Sequence, residues 1–254
     1  MLRPLAKLRM PPDTFERHSI IARLAGPAGS VLDVGGVKGE LGLFLPDAEV
    51  TTINMEGERA DAHFDGDLLP FEDDSFDLAV SLDVLEHIPA EGRARHFEEL
   101  ARVARRQVLL CCPLGSPEHI EAEAGLASWY LETTGERHRF LEEHLTRGLP
   151  DEAELERLAD GVGGSLLIRF HGDFRRANQA FRRSAGLKHS HTPATALAYA
   201  RVRLDPRRSL ELDHAASPWS NRAFIEIRLD PDDRTAGKAD SPGSRSSGGR
   251  SPGE

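Results

Sequence analysis

Hydrophobic residues in this chain gather in short unbroken runs, separated by stretches where they recur every three or four positions. The runs at 31–34, 50–54, 76–82, 107–112 and 165–170 have the length of strands and carry few polar interruptions. Such runs suit strands buried on both faces. A further short strand is expected within 59–65. From Asn221, the segment NRAFIEIRL alternates Ala223, Ile225 and Ile227 with Phe224, Glu226 and Arg228, which predicts a final strand. Between these runs lie helical patterns. Residues 13–26 place Phe15, Ile20, Ile21 and Leu24 on one face and stop at Gly26-Pro27. Leu41 to Leu45 supplies apolar positions for a helix after a glycine turn, and 93–105 sets Phe97, Leu100 and Val103 toward a core. Strands that alternate with helices in this way predict an α/β fold with a mostly parallel sheet covered on both faces.

The rhythm changes after Pro113. Residues 114–150 are charged, rich in aromatics and histidines, and lack strand alternation, which predicts a helical insertion over the rim of the sheet. The ordinary pattern resumes with DEAELERLADG, where Asp151 is placed to cap a helix, and residues 172–204 read as largely helical. Residues 1–231 then form one domain. The stretch 232–254 has no bulky apolar residue and is rich in Gly, Ser and Pro, so it is expected to be a disordered tail.

Composition narrows the function. A chain of 254 residues with a formal net charge of -10 repels a nucleic-acid backbone on average, which favours a small-molecule partner. Cys111 and Cys112 are the only cysteines and are adjacent, so no disulfide framework or spaced metal set is indicated and a reducing, cytoplasmic setting is expected. The start of the chain has basic residues but no continuous apolar stretch of the kind that directs secretion, and no run approaches a membrane span.

The first chemical signal is VLDVGGVKG at 31–39, a glycine turn between a buried strand and the next segment. Glycines there let a ligand approach backbone that a Cβ would block. The glycines at 35, 36 and 39 do not have the G-x-G-x-x-G spacing of a dinucleotide site. Asp33 before the turn suits a cationic ligand better than two phosphates.

VLDVGGVKG resembles the first motif of class I S-adenosylmethionine-dependent methyltransferases, and FDGDLLPFEDDSFDLAVSLDVLEHIP at 64–89 resembles their sequence through the fourth strand. The resemblance covers about residues 28–115. It implies a Rossmann-like seven-stranded sheet with an antiparallel last strand, and S-adenosyl-L-methionine as cofactor. It also implies that Asp33, Gly35 and Gly39, with Gly36 in the same turn, line the methionine side. Asn54 at the end of strand two would hold the ribose, Asp65, Gly66 and Asp67 would lie by the adenine, and Ser81, Leu82 and Asp83 would face the reaction centre. Two positions depart from the family pattern: Val37 stands where a glycine is commonest, and strand two ends in Asn54-Met55-Glu56 where an acid is expected, which leaves Glu56 as an alternative to Asn54.

A sulfonium is already an activated leaving group, so positioning carries much of the rate and a base is needed only for acceptors that keep their proton. His87 is the candidate base, Asp83 a contact to cofactor or acceptor, and Glu86 a weaker candidate. The insertion offers Trp129, Tyr130, His138, Phe140 and His144, with His119, Arg137 and Arg139, a set suited to a sugar, a phosphorylated compound or an acidic metabolite. GERHRFLEEHLTRGLP at 135–150 is similar to a stretch in bacterial methyltransferases of sugar or surface-polysaccharide modification. His171, Asp173, His189 and His191 do not form a compact ligand set, so no metal is expected. A catalytically silent cofactor-binding or regulatory protein is the alternative reading.

Overall fold

A computed structural model describes residue 7, residues 10–184 and residues 210–230. Its elements are α1 (Pro12–Ala25), β1 (Ser30–Val34), β2 (Glu49–Asn54), β3 (Ala62–His63), β4 (Phe76–Leu82), α2 (Ala90–Val103) and β5 (Ala104–Pro113). These are followed by α3 (Pro117–Thr134), α4 (Arg139–Arg147), α5 (Glu152–Asp160), β6 (Ser165–Asp173), α6 (Phe174–Ser184) and β7 (Ser220–Arg228). The strands form one seven-stranded sheet in the order β3-β2-β1-β4-β5-β7-β6. β1 to β5 are parallel, and β7 runs antiparallel to both of its neighbours, β5 and β6. The expected Rossmann-like sheet and the helical insertion after strand five are both present.

Adjacent strand residues point to opposite faces, and the core divides accordingly. Leu32, Val34, Val108, Leu110, Cys112 and Ile225 pack under α2 and α5, contributing with Phe97, Leu100 and Leu155 to one buried cluster. Val31, Leu78, Val80, Leu109, Cys111 and Phe224 pack on the other side against Ile20 and Ile21 of α1. The neighbouring cysteines therefore belong to different layers, and both are free thiols. A third, small cluster of Leu126, Ala127 and Leu141, flanked by Trp129 and Phe181, holds the insertion together.

Local chemistry explains most element ends. Pro12 sits in the first turn of α1, where a missing N–H costs nothing, and Gly26 at φ 59° ends it. Asp151 caps α5 by accepting from the Glu154 N–H at 2.8 Å, as the sequence indicates. The segment after the glycine turn differs from expectation. Instead of a helix over Leu41–Leu45 there is a single 3-10 turn at Leu41–Leu43. Gly39, Gly42 and Pro46 crowd the short link from β1 to β2 and disfavour propagation of an α-helix. Within 172–204, Gly172 and Asp173 still belong to β6, the helix α6 covers Phe174–Ser184, and the reading from 185 onward lies outside the described residues, as does the 232–254 tail. Among the described residues, no helix is long and apolar enough to cross a membrane.

Candidate active site

The chain runs from β1 outward to β2 and β3 on one side, and to β4 and β5 on the other. In open α/β sheets the crevice at such a reversal, at the carboxyl ends of the strands, is where ligands bind. Register brings the relevant residues to one level: Val34 pairs with Ile53 and with Ser81, and Leu82 with Cys111. A surface groove bordered by Gly26, Ala28, Phe44, Ala48, Asp77 and Arg106 lies at the opposite, amino-terminal edge and contains none of the candidate cofactor-binding or catalytic residues.

At the β1 turn, the Gly35 N–H donates to the Ile53 carbonyl at 2.8 Å and locks the turn onto β2. Gly35 has φ +79°, and a Cβ there would lie 2.3 Å from Val84 Cγ2. Gly36 lies against the Asp33 carboxylate, and its Cβ would meet Oδ2 at 2.0 Å. Asp33 is 1% exposed, and its Oδ2 is buried without a hydrogen-bond partner. Burial, reinforced by Glu40 and opposed by Arg17, pushes its carboxyl up to about 7. Gly39 has φ +84° and open space around it.

Asn54, at the end of β2, donates from Nδ2 to the Gly36 carbonyl at 3.2 Å, and its Oδ1 accepts from the Met55 N–H at 2.9 Å. This accounts for one departure from the family pattern, because a carboxylate has no proton to give Gly36. Glu56 is exposed and meets Arg139 of α4 at 3.3 Å, so the insertion reaches over the end of β2. Asp65, Gly66 and Asp67 are exposed beside it. Asp65 accepts from the Asp67 N–H at 3.0 Å, and Gly66 abuts the Met55 side chain.

At the β4 turn, the residues meant for the reaction centre divide. The Ser81 hydroxyl is buried and shares a 2.9 Å hydrogen bond with His96 Nε2 on α2, and Leu82 is buried in the α1-side layer. Their side chains serve packing. Asp83 has φ 52°, a left-handed conformation that Asp tolerates better than most residues, and such strain is common at functional turns. Its carboxylate receives Arg222 Nε and Nη2 at 3.0 and 2.8 Å, and Arg17 Nη1 lies 3.1 Å away. Burial alone would raise this carboxyl, but Arg17 and Arg222 outweigh it and hold it well below the usual range. The sequence reading missed both arginines, which come from α1 and β7.

Beyond the turn, Glu86 is 1% exposed with its Oε2 unpartnered, and burial and the nearby Asp83 charge push its carboxyl well up. His87 Nδ1 lies 2.8 Å from Glu143 Oε2 of α4, without hydrogen-bond alignment. Burial lowers the His87 pKa, with His144 adding to it and Glu143 opposing, so the ring is neutral near pH 7. His144 sits 5.0 Å from His87, ring to ring, and its Nδ1 contacts the Glu123 carboxylate at 3.0 and 3.2 Å. His119 is stacked on Phe174 and bonded to the Leu114 carbonyl. The other aromatics serve the lid itself: His138 caps α4 and meets Tyr130 edge-on, and Arg182 lies over Trp129. Phe140 alone of this group is largely exposed, at 52%. His171 lies 3.8 Å from Glu16 and Asp173 is paired with Arg175, while His189 and His191 fall outside the described residues.

Residues 42–112 match a family described as a methyltransferase domain. No curated protein matches the sequence. Among solved structures, the YcgJ protein of Bacillus subtilis is 16% identical at a TM-score of 0.51, covering 84% of this chain and 98% of its own. Phosphoethanolamine N-methyltransferase 2 of Haemonchus contortus, solved with S-adenosyl-L-methionine, is 14% identical at a TM-score of 0.51, covering 84% of this chain and 52% of its own. A possible histamine N-methyltransferase of Thermotoga maritima is 12% identical at a TM-score of 0.50, covering 85% of this chain and 89% of its own.

Proposed function

We propose that this chain, a class I S-adenosylmethionine-dependent methyltransferase by its fold and by the family match over residues 42–112, methylates a small polar acceptor of the sugar or acidic-metabolite class. The observation that carries the cofactor side is the buried, unpartnered Asp33 oxygen beside a glycine turn at the sheet's switch point. A buried carboxylate oxygen without a partner suits a cationic ligand group, Gly35 and Gly36 let the turn close on Val84 and Asp33, and Gly39 leaves open space beside it. Asp33, Gly35, Gly36 and Gly39 would hold the amino-acid end. Past the end of β2, Asp65, Gly66 and Asp67 would serve the adenine, with Asn54 fixing the turn through Gly36. When bound, S-adenosylmethionine supplies a methyl group on a sulfonium leaving group.

The acceptor would enter between the β4 turn and the insertion. Asp83 holds Arg17 and Arg222 there, and His87, neutral near pH 7, can accept a proton. The net charge of -10 and the roof formed by α4 favour a small acceptor over a nucleic acid. Calorimetric titration of ligand-stripped protein with S-adenosylmethionine, S-adenosylhomocysteine and NAD comes first. Saturable binding of the adenosyl compounds, followed by turnover in a screen of sugars and small acids, is expected. Cofactor binding with no turnover across acceptor classes would favour a silent binding protein instead. His87→Ala is expected to keep cofactor binding and lower turnover; unchanged turnover removes His87 from the acceptor side.

A further inference from the structure

The space between the β4 turn and α4 gathers more ligating groups than methyl transfer requires. Glu86, His87 and His144 each bring one ligand atom to within 4.8 Å of the other two. Glu86 and His87 come from the 3-10 turn Leu85–His87 after β4, and His144 comes from α4. We propose that these three residues bind one divalent transition-metal ion, which fastens the insertion to the sheet beside the acceptor cleft.

Three observations support the site. First, Glu86 Oε2 and His144 Nε2 are buried and have no hydrogen-bond partner. Leaving a buried polar atom unsatisfied is costly, and here these two, joined by the unpartnered His87 Nδ1, belong to one cluster. Second, the His144 ring is oriented from outside. Its Nδ1 is held by both oxygens of Glu123 on α3, which leaves Nε2 as the nitrogen available to a ligand. A carboxylate behind a histidine in this way fixes the ring and raises its basicity toward a metal. Glu143 lies close to His87, with its Oε2 2.8 Å from Nδ1, but without the alignment of a hydrogen bond. Third, the donor set is selective. Two imidazoles and one carboxylate favour zinc, iron, cobalt or nickel over magnesium or calcium, which prefer all-oxygen sites.

Ligand atoms around a four-coordinate zinc lie roughly 3.3–3.5 Å apart, at bond lengths of about 2.0–2.1 Å. Modest side-chain rotation therefore has to draw the cluster inward, and three protein ligands leave at least one position for water or an oxygen of the acceptor. The inference shares its location with the acceptor side of the proposed function: an ion held there occupies the His87 imidazole, so the proton-accepting role given to His87 belongs to the metal-free protein, and the site is tested without cofactor or acceptor.

The test uses the full chain stripped with a chelator. Co2+ is added and followed by visible absorption, and Zn2+ by calorimetry in excess Mg2+. One equivalent of each is expected to bind. Glu86→Gln and His144→Gln, each checked for folding by thermal melting, are expected to weaken Zn2+ binding at least a hundredfold. Glu123→Gln should weaken it about tenfold by loosening its hold on the His144 ring. Zn2+ at one equivalent should also raise the melting temperature of the wild type and not of His144→Gln, because the ion joins α4 to the β4 turn. Absence of saturable Zn2+ binding, displacement by Mg2+, or wild-type affinity in both ligand variants would overturn the proposal. S-adenosylhomocysteine titrated into the same stripped protein separates the two readings: its failure to bind counts against the cofactor assignment and leaves the metal result standing.

Discussion

Asp33 and Asp83 follow the same logic of placement, one at the carboxyl end of β1 and one just past the carboxyl end of its neighbour β4, yet the protein treats them in opposite ways. Asp33 is sealed in with one oxygen unpartnered, and burial raises its carboxyl to about 7. Asp83 is held by three arginine nitrogens from two distant elements and stays ionised. The first is an incomplete site that gains from a cationic ligand. The second is complete within the chain and serves to hold arginines in position. Two acidic residues that look alike in the sequence thus divide into a group awaiting a ligand and a group that builds the wall around one.

Breaking the completed half should have the largest effect. Arg222→Met removes two of the three nitrogens from Asp83 and leaves a charge that Arg17 alone must balance. Loss of one partner from an enclosed ion pair is expected to cost about 3 kcal/mol, read as a lower midpoint in urea denaturation. A change under about 1 kcal/mol would mean that solvent already balances Asp83.

Asp33→Asn tests the other half and should act in the opposite direction. The folded-state pKa of Asp33, about 7, lies above the unfolded value of about 4. Its contribution to stability is therefore fully present below pH about 4 and is lost as pH rises through about 7. The Asn variant lacks that loss, so it should be more stable than wild type at pH 8 by about 2–4 kcal/mol, with the difference shrinking toward pH 4. The same variant should bind S-adenosylmethionine at least tenfold more weakly. Higher stability with unchanged affinity would remove Asp33 from the ligand's contacts.

Asn54→Asp restores the acid expected at the end of strand two and sharpens the contrast between family pattern and local need. It replaces a donor to the Gly36 carbonyl with a carboxylate, and about 1–2 kcal/mol of stability should be lost. A neutral effect would show that the turn stands without that bond. The smallest effect is expected from Arg139→Ala. Its pairs with Glu56 and Glu143 are exposed on the arginine side, so the melting temperature should not move measurably.

The half of the site built from contiguous sequence was the half that could be read. VLDVGGVKG encodes strand, carboxylate and turn within nine residues, and the run at 76–82 marks β4 to the residue. The single missed helix in this region, over Leu41–Leu45, failed because apolar spacing was read without weighing Gly42 and Pro46. The arginine clamp was invisible for a different reason. Arg17 lies on a helix whose apolar pattern pointed inward at Ile20 and Ile21, and Arg222 on a strand read for its alternation. Neither segment carries a local sign that its arginine closes on Asp83. Ser81 was assigned to the cleft from its position, but its hydroxyl turns to His96, a pairing that depends on how α2 lies across the sheet.

The placement of β7 has a consequence for the order in which the protein becomes complete during synthesis. This strand, the last in the described chain, is laid down between β5 and β6 and brings Arg222 to the β4 turn. A growing chain on the ribosome has its glycine turn and all five parallel strands from β1 to β5 before β7 has been made. Such a chain can form the pocket around Asp33, yet its Asp83 lacks a principal counter-charge and β5 remains an open edge. The acceptor side of the molecule is thus finished only when β7 enters between β5 and β6, which delays assembly of that half until long after the five parallel strands have emerged.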